Sequence, residues 1–203
     1  IVNDGILDSN TSTVTIVVTP VNDSPITSEI ITSTFEDTTL NISLSASDID
    51  GDTLSYIVID PPANGTITIS GTIVIYNPTL NYHGADSFTY KANDGIADSN
   101  TSSVTLTITS VNDIPESSTA SATTAEDTSV EIQLTATDAD GDSLTYSVVT
   151  TPEHGTVSIM GSIATYTPEA NYNGLDSFTF KASDGILDSN TAQVSISITG
   201  VND

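Results

Sequence analysis

Asn81-Tyr82-His83-Gly84-Ala85-Asp86-Ser87-Phe88 returns at an offset of 90 as Asn171-Tyr172-Asn173-Gly174-Leu175-Asp176-Ser177-Phe178. The segment runs straight into Phe88, Tyr90 and Ala92, which alternate with Thr89 and Lys91. Period-two alternation of apolar and polar residues marks a half-buried strand. Working outward, the same offset governs the rest of the chain. Val21-Asn22-Asp23 returns at 111 and 201, Glu36-Asp37-Thr38 at 126, and Asp48-Ile49-Asp50-Gly51-Asp52 as Asp138-Ala139-Asp140-Gly141-Asp142. The phrase Asp4-Gly5-Ile6-Leu7-Asp8-Ser9-Asn10-Thr11 starts again at 94 and 184, with Ala97 as its one change. A period of this length is a small domain, not one coil of a solenoid. The expected organisation is therefore residues 1–20 as the tail of a preceding repeat, repeats at 21–110 and 111–200, and 201–203 as the start of a next linker.

Within a repeat the alternation recurs strand by strand. Leu40, Ile42, Leu44 and Ala46 alternate with Asn and Ser, and Leu54, Tyr56 and Val58 occupy every second place. Ile67 and Ile69 lead into Ser70-Gly71, a tight hairpin, and Ile73 and Ile75 follow. Val104, Leu106 and Ile108 alternate with Thr. Pro25, Pro61, Pro62 and Pro78 fall between runs, where a missing amide is tolerated. No stretch shows a capped helical period. With a weak first strand near 26–34, about seven strands per repeat are expected. The fold class is all-β, as tandem seven-stranded antiparallel sandwiches with Greek-key connections.

Composition excludes several functions. Two Lys against 27 Asp plus Glu give a formal net charge of −25. Nucleic acid and anionic membrane surfaces both call for a basic face. There is no cysteine, so disulfides and thiolate metal sites are absent. No apolar run reaches the length of a membrane span, and no membrane insertion is expected. An export signal or anchor is expected to lie in a larger parent chain.

The carboxylates cluster at expected strand ends and turns. Two carboxylates about 4 Å apart repel by roughly 4 kcal/mol at an effective dielectric of about 20. Three Asp within Asp48–Asp52 therefore call for a counter-charge. Ca²⁺, which takes six to eight oxygens in irregular geometry, supplies one. The loop also resembles an EF-hand opening. That reading fails because position twelve is Ile59 or Val149, not Glu, and no flanking helices are expected. Asp and Asn are also common in turns for their own hydrogen bonding. For Asp94-Gly95 alone the turn reading ranks first; for Asp48, Asp50 and Asp52 together calcium does. Val-Asn-Asp reads equally as a plain linker or as a metal-holding one.

The ordered set Glu-Asp, Asp-x-Asp-Gly-Asp, Leu/Ala-Asp-Ser-Phe, Ala-x-Asp-Gly, Val-Asn-Asp-x-Pro resembles the cadherin fold. It is closer still to the cadherin-like tandem repeats of large bacterial surface proteins and adhesins, and the resemblance spans the chain. It implies Ca²⁺ at each junction between successive domains. Near residue 113 it implies Glu36, Asp86, Asn112 and Asp113, with Asp138, Asp140 and Asp184 from the following repeat. Near residue 23 it implies the lower half of such a site: Asn22, Asp23, Asp48, Asp50 and Asp94. Asp52, Asp98, Asp142 and Asp188 are further possible ligands. Where the cadherin linker carries an extra Asp, this chain has Pro20 and Ser110, and no Glu follows the Asp86 and Asp176 segments. This implies a smaller ion cluster than the family's full set. Calcium held within one domain by Asp48, Asp50, Asp52, Asp94 and Asp98 is the alternative.

Other residues carry weaker signals. His83 and His154 are not repeat mates and read as loop residues. Lys91 and Lys181 are mates, turned outward by the alternation. No nucleophile motif surrounds any Ser, so no catalytic residue is named and no enzyme is expected. The leading reading is a calcium-stiffened structural and adhesion repeat of a long protein at the extracellular cell surface, partnered by neighbouring repeats. A second is a filament subunit that joins other copies by strand addition through residues 11–20. A third is a carbohydrate-binding accessory module, ranked last because there is no Trp and most aromatics fall on core-facing positions.

Overall fold

The computed structural model describes residues 1–202, and no helix occurs among them. Asp203, part of the linker expected at 201–203, lies outside the described residues. The first repeat contains β1 (Ile26–Thr27), β2 (Ile30–Phe35), β3 (Leu40–Ser43), β4 (Ala46–Ser47), β5 (Ser55–Val58), β6 (Gly65–Ser70), β7 (Ile73–Pro78), β8 (Gly84–Asn93) and β9 (Ser102–Thr109). The second contains β10 (Glu116–Ser118), β11 (Ala120–Ala125), β12 (Val130–Gln133), β13 (Thr135–Thr137), β14 (Thr145–Thr150), β15 (Gly155–Met160), β16 (Ile163–Pro168), β17 (Gly174–Ser183) and β18 (Ala192–Thr199). The sheets run β2-β9-β8-β5 and β3-β7-β6 in the first repeat, and β11-β18-β17-β14 and β12-β16-β15 in the second, each completed by a short pair, β1-β4 or β10-β13. These are the expected all-β sandwiches.

Nine segments stand where seven strands are expected, because two strands change partners along their length. β3 pairs with β7, but β4 beyond it pairs with β1. Buried Leu44 occupies the break, and its amide donates to Thr72 O at 2.8 Å. The first strand divides in the same way. β10 lies antiparallel to β13, whereas β11 crosses to the other sheet and runs parallel to β18. That parallel pair departs from the antiparallel expectation.

The cores follow the alternation. Phe88, Tyr90, Ala92, Val104, Leu106 and Ile108 are buried in the first repeat. Phe178, Phe180, Val194, Ile196, Tyr166 and Leu134 cluster in the second. β7 departs from the expected phase. Val74 and Tyr76 are fully buried, and Ile73 and Ile75 are half-buried. All four residues are apolar, so periodicity there does not choose a face. The register does: Val74 lies opposite Ile42 and Tyr76 opposite Leu40, and cross-strand partners share a face. The hairpin turn is also one residue later than expected. Gly71-Thr72 joins β6 to β7, with Gly71 at φ 61°, a conformation glycine adopts without penalty.

Residues 11–20 form no strand, and Val14, Ile16, Val17 and Val18 are exposed. The turn before them still folds: Asn3 bridges Asp8, and Asp4 Oδ1 accepts from the amides of Ile6 and Leu7. The chain divides into two compact units. One comprises Ile1–Thr32, Leu40–Tyr76 and Asp86–Leu106; the other comprises Ser33–Thr39, Asn77–Ala85 and the chain from Thr107 onward. The turns 33–39 and 77–85 thus belong with the second unit. No described helix is long and apolar enough to cross a membrane.

Candidate metal centre

In the second unit, two turns fix an acidic side chain. Asp37 and Asn81 sit at φ 55° and 56°, the left-handed region that Asp and Asn tolerate best among residues with a side chain. Asp37 Oδ1 accepts from the Asn81 amide at 3.0 Å and clamps the turns together. The Glu36 amide donates to Thr109 O at 2.9 Å. Glu36 Oε1 accepts from the Val111 amide at 2.5 Å. Glu36 is 3% exposed, and its Oε2 is buried with no hydrogen-bond donor.

Asp138, Asp140 and Asp142 form the facing loop of the same unit. Asp138 Oδ1 accepts from the amides of Asp140 and Asp142 at 3.0 and 3.3 Å, and Gly141 turns the chain at φ 77°. Asp138 Oδ2 is buried and has no donor. Asp140 Oδ2 accepts from the Asp113 amide at 2.7 Å, and Asn112 Nδ2 donates to Asp184 Oδ2 at 2.8 Å. Asp113 Oδ2 is a third buried oxygen without a donor. Asp184 Oδ1 accepts from the amides of Ile186 and Leu187, which holds its carboxyl below the usual range, aided by Asn112.

The electrostatics are unbalanced. Burial, then the carboxylates of Asp140, Glu36, Asp37 and Asp138, push the Asp113 carboxyl above its usual value. The chain's two Lys pair elsewhere, Lys91 with Asp98 and Lys181 with Asp188. Burying anionic oxygen with no partner is costly. Oxygen donors in irregular array, anionic and unsatisfied, are what a hard divalent cation binds. The residues present therefore fit Ca²⁺.

The first unit repeats the lower half. The Asp23 amide donates to Asp50 Oδ2 at 2.8 Å, and Asn22 Nδ2 to Asp94 Oδ2 at 3.0 Å. Asp48 Oδ1 accepts from the amides of Asp50, Gly51 and Asp52, and its Oδ2 is buried without a donor. Carboxylate oxygens of Asp48, Asp50 and Asp52 lie within 4.8 Å of one another, as do those of Asp138, Asp140 and Asp142.

Other expected ligands have different work. Asp86 accepts from the amides of Ala63 and Ser87 on Oδ1, and from the Asn64 amide and Tyr76 hydroxyl on Oδ2. Four donors fill its acceptor positions, so it pins the loop before β6 to β8. Its mate Asp176 does the same. Burial raises the Asp176 carboxyl, but donors from Tyr166, Glu153, Ser177 and His154 outweigh that and hold it low. Asp98 accepts from Asn93 Nδ2 at 2.7 Å, and Asp188 from Lys181. His83, read from the sequence as a loop residue, lies beside Glu36. Its Nδ1 stands 3.8 Å from Glu36 Oε2, and ligand atoms of Glu36, His83 and Asp140 lie within 4.8 Å of one another. A residue differing between repeats gave no periodic signal.

The fold and the acidic turns define a protein of tandem, cadherin-like β-sandwich repeats. Residues 22–107 and 112–197 each match the bacterial Ig domain family, and the chain belongs to that family. Among solved structures, mouse cadherin-23 EC22-24 superposes with a TM-score of 0.58 at 23% identity, covering 90% of this chain and 68% of that one. Human mucin-like protocadherin EC1-2 gives 0.55 at 17% identity, covering 87% and 98%. An endo-fucoidan hydrolase from glycoside hydrolase family 107 matches at a TM-score of 0.42 and 19% identity, covering 92% of this chain and 30% of its own. The chain thus spans under a third of that enzyme. These likenesses show the fold alone. No curated protein matches the sequence.

Proposed function

We propose that the chain is a calcium-stiffened structural and adhesion repeat of a long extracellular, cell-surface protein. The observation that carries this reading is the set of buried carboxylate oxygens without donors, on Glu36, Asp113 and Asp138 in one unit and on Asp48 in the other. Glu36, Asp113, Asp138 and Asp140, with Asn112 at the rim, would hold Ca²⁺ in the second unit; Asp23, Asp48 and Asp50, with Asn22, would do so in the first. The ion supplies charge neutralisation and ties residues of the first repeat, the linker and the second repeat to one centre. Extracellular calcium modules bind at about 10⁻⁴–10⁻³ M, a range that environmental calcium fills.

Thermal unfolding with and without calcium tests the proposal. At ten- to hundredfold excess over Kd, mass action adds about 1–3 kcal/mol per site. An unchanged Tm on chelation contradicts it. Strand addition is the second reading, supported by the exposed Val14, Ile16 and Val18. Its test is whether an added peptide of residues 11–20 enters a sheet and suppresses self-association. The carbohydrate-binding reading has less support, since Tyr76, Tyr90, Tyr166, Phe88, Phe178 and Phe180 are all in the cores.

A further inference from the structure

We infer that Glu36, His83 and Asp140 form a site for a borderline transition-metal dication, with Zn²⁺ as its natural probe; it shares Glu36 and Asp140 with the calcium reading and differs from it in the His83 nitrogen donor. Three observations combine. The first is geometric. His83 Nδ1 is 3.8 Å from Glu36 Oε2, and one ligand atom from each of Glu36, His83 and Asp140 lies within 4.8 Å of the other two. Tetrahedral zinc with bonds of about 2.0–2.2 Å places its donors roughly 3.4 Å apart, so a small inward movement closes the site. The His83 side chain is 53% exposed and free to make that movement.

The second observation is the state of the Glu36 carboxylate. Its side chain is 2% exposed, one oxygen is anchored by the Val111 amide, and the other is buried without a donor. The anchor holds the free oxygen in place. The third is the donor set. Ca²⁺ takes oxygen ligands, whereas an imidazole nitrogen with two carboxylates suits zinc, and an open fourth position suits water.

The chain carries its own control. The mate of His83 is Asn173, and the mate of Glu36 is Glu126. A Cβ built on Gly200 would stand 3.7 Å from both Asn173 and Glu126, so the corresponding pair lies together at the matching place without an imidazole. His83→Asn therefore installs a side chain that the fold already accepts there.

The experiment is a Zn²⁺ titration of the full chain by calorimetry, without calcium, for wild type, His83→Asn and His154→Gln. NMR of the imidazole resonances runs in parallel. His154 lies 3.7 Å from Glu169 and reports adventitious zinc uptake. The expected result is one site that weakens about tenfold or more in His83→Asn and not in His154→Gln, with the His83 ring resonances shifting on saturation. A calcium-induced rise in Tm that survives in His83→Asn separates this site from the calcium reading. Equal zinc affinity in wild type and His83→Asn, or unmoved His83 resonances at saturation, overturns the inference.

Discussion

The Val111 amide donates to Glu36 Oε1 at 2.5 Å, and the repeat mates Val201 and Glu126 make the same bond at 2.6 Å. One oxygen of each Glu is thus committed to the linker that leaves its own repeat. In Glu36 the second oxygen is left buried and without a donor. Neutral glutamine can keep the first bond and lacks the charge. Glu36→Gln is therefore expected to fold, to melt at or above wild type without calcium, and to lose about tenfold or more in calcium affinity, measured by calorimetry.

Asp113→Asn is expected to reverse sign with calcium. Burial and neighbouring carboxylates raise the folded Asp113 carboxyl, so its contribution to stability is present at low pH and lost as pH rises through the folded value. Near neutral pH without calcium, the amide variant should melt above wild type. With saturating calcium it should melt below, because a ligand oxygen has lost its charge. Paired melts in chelator and in millimolar calcium check both halves.

Tyr166→Phe is expected to destabilise the second repeat by about 1.5–3 kcal/mol, since its hydroxyl donates at 2.8 Å to the buried carboxylate of Asp176. The Asp176 carboxyl is held below its ordinary value of 3.8. Its contribution is present above that value and lost as pH falls through the folded one. Asp176→Asn should therefore flatten the acid limb of the stability profile, read by denaturant midpoints across pH.

Gly155→Ala is expected to cost about 1–3 kcal/mol by overpacking. A Cβ there would stand 2.6 Å from Thr167 O and 2.7 Å from the Tyr166 ring, where the backbone cannot yield. Gly185→Ala meets open space but sits at φ 98°, so its smaller loss would come from backbone strain. Chemical denaturation of both variants separates the two causes.

The repeat made most of the fold legible. Phe88, Tyr90 and Ala92, and their mates Phe178, Phe180 and Ala182, face the cores as alternation requires. β7 was not legible, because Ile73-Val74-Ile75-Tyr76 is apolar on both faces and only pairing with β3 chooses between them. Of the candidate site, the pairs Asn112–Asp184 and Asp113–Asp140 follow the pattern of the motifs. Asp86 stands among the ligands that the cadherin resemblance implies. Only the structure reveals the Tyr76 hydroxyl and the three amides gathered around it. His83 lay hidden for the opposite reason: it does not recur.

The most direct measurement is anomalous diffraction from crystals grown in millimolar calcium. The expected result is an ion peak coordinated by the free oxygens of Glu36, Asp113 and Asp138. Density for water alone among those oxygens, with calcium abundant in the crystal, would contradict the account.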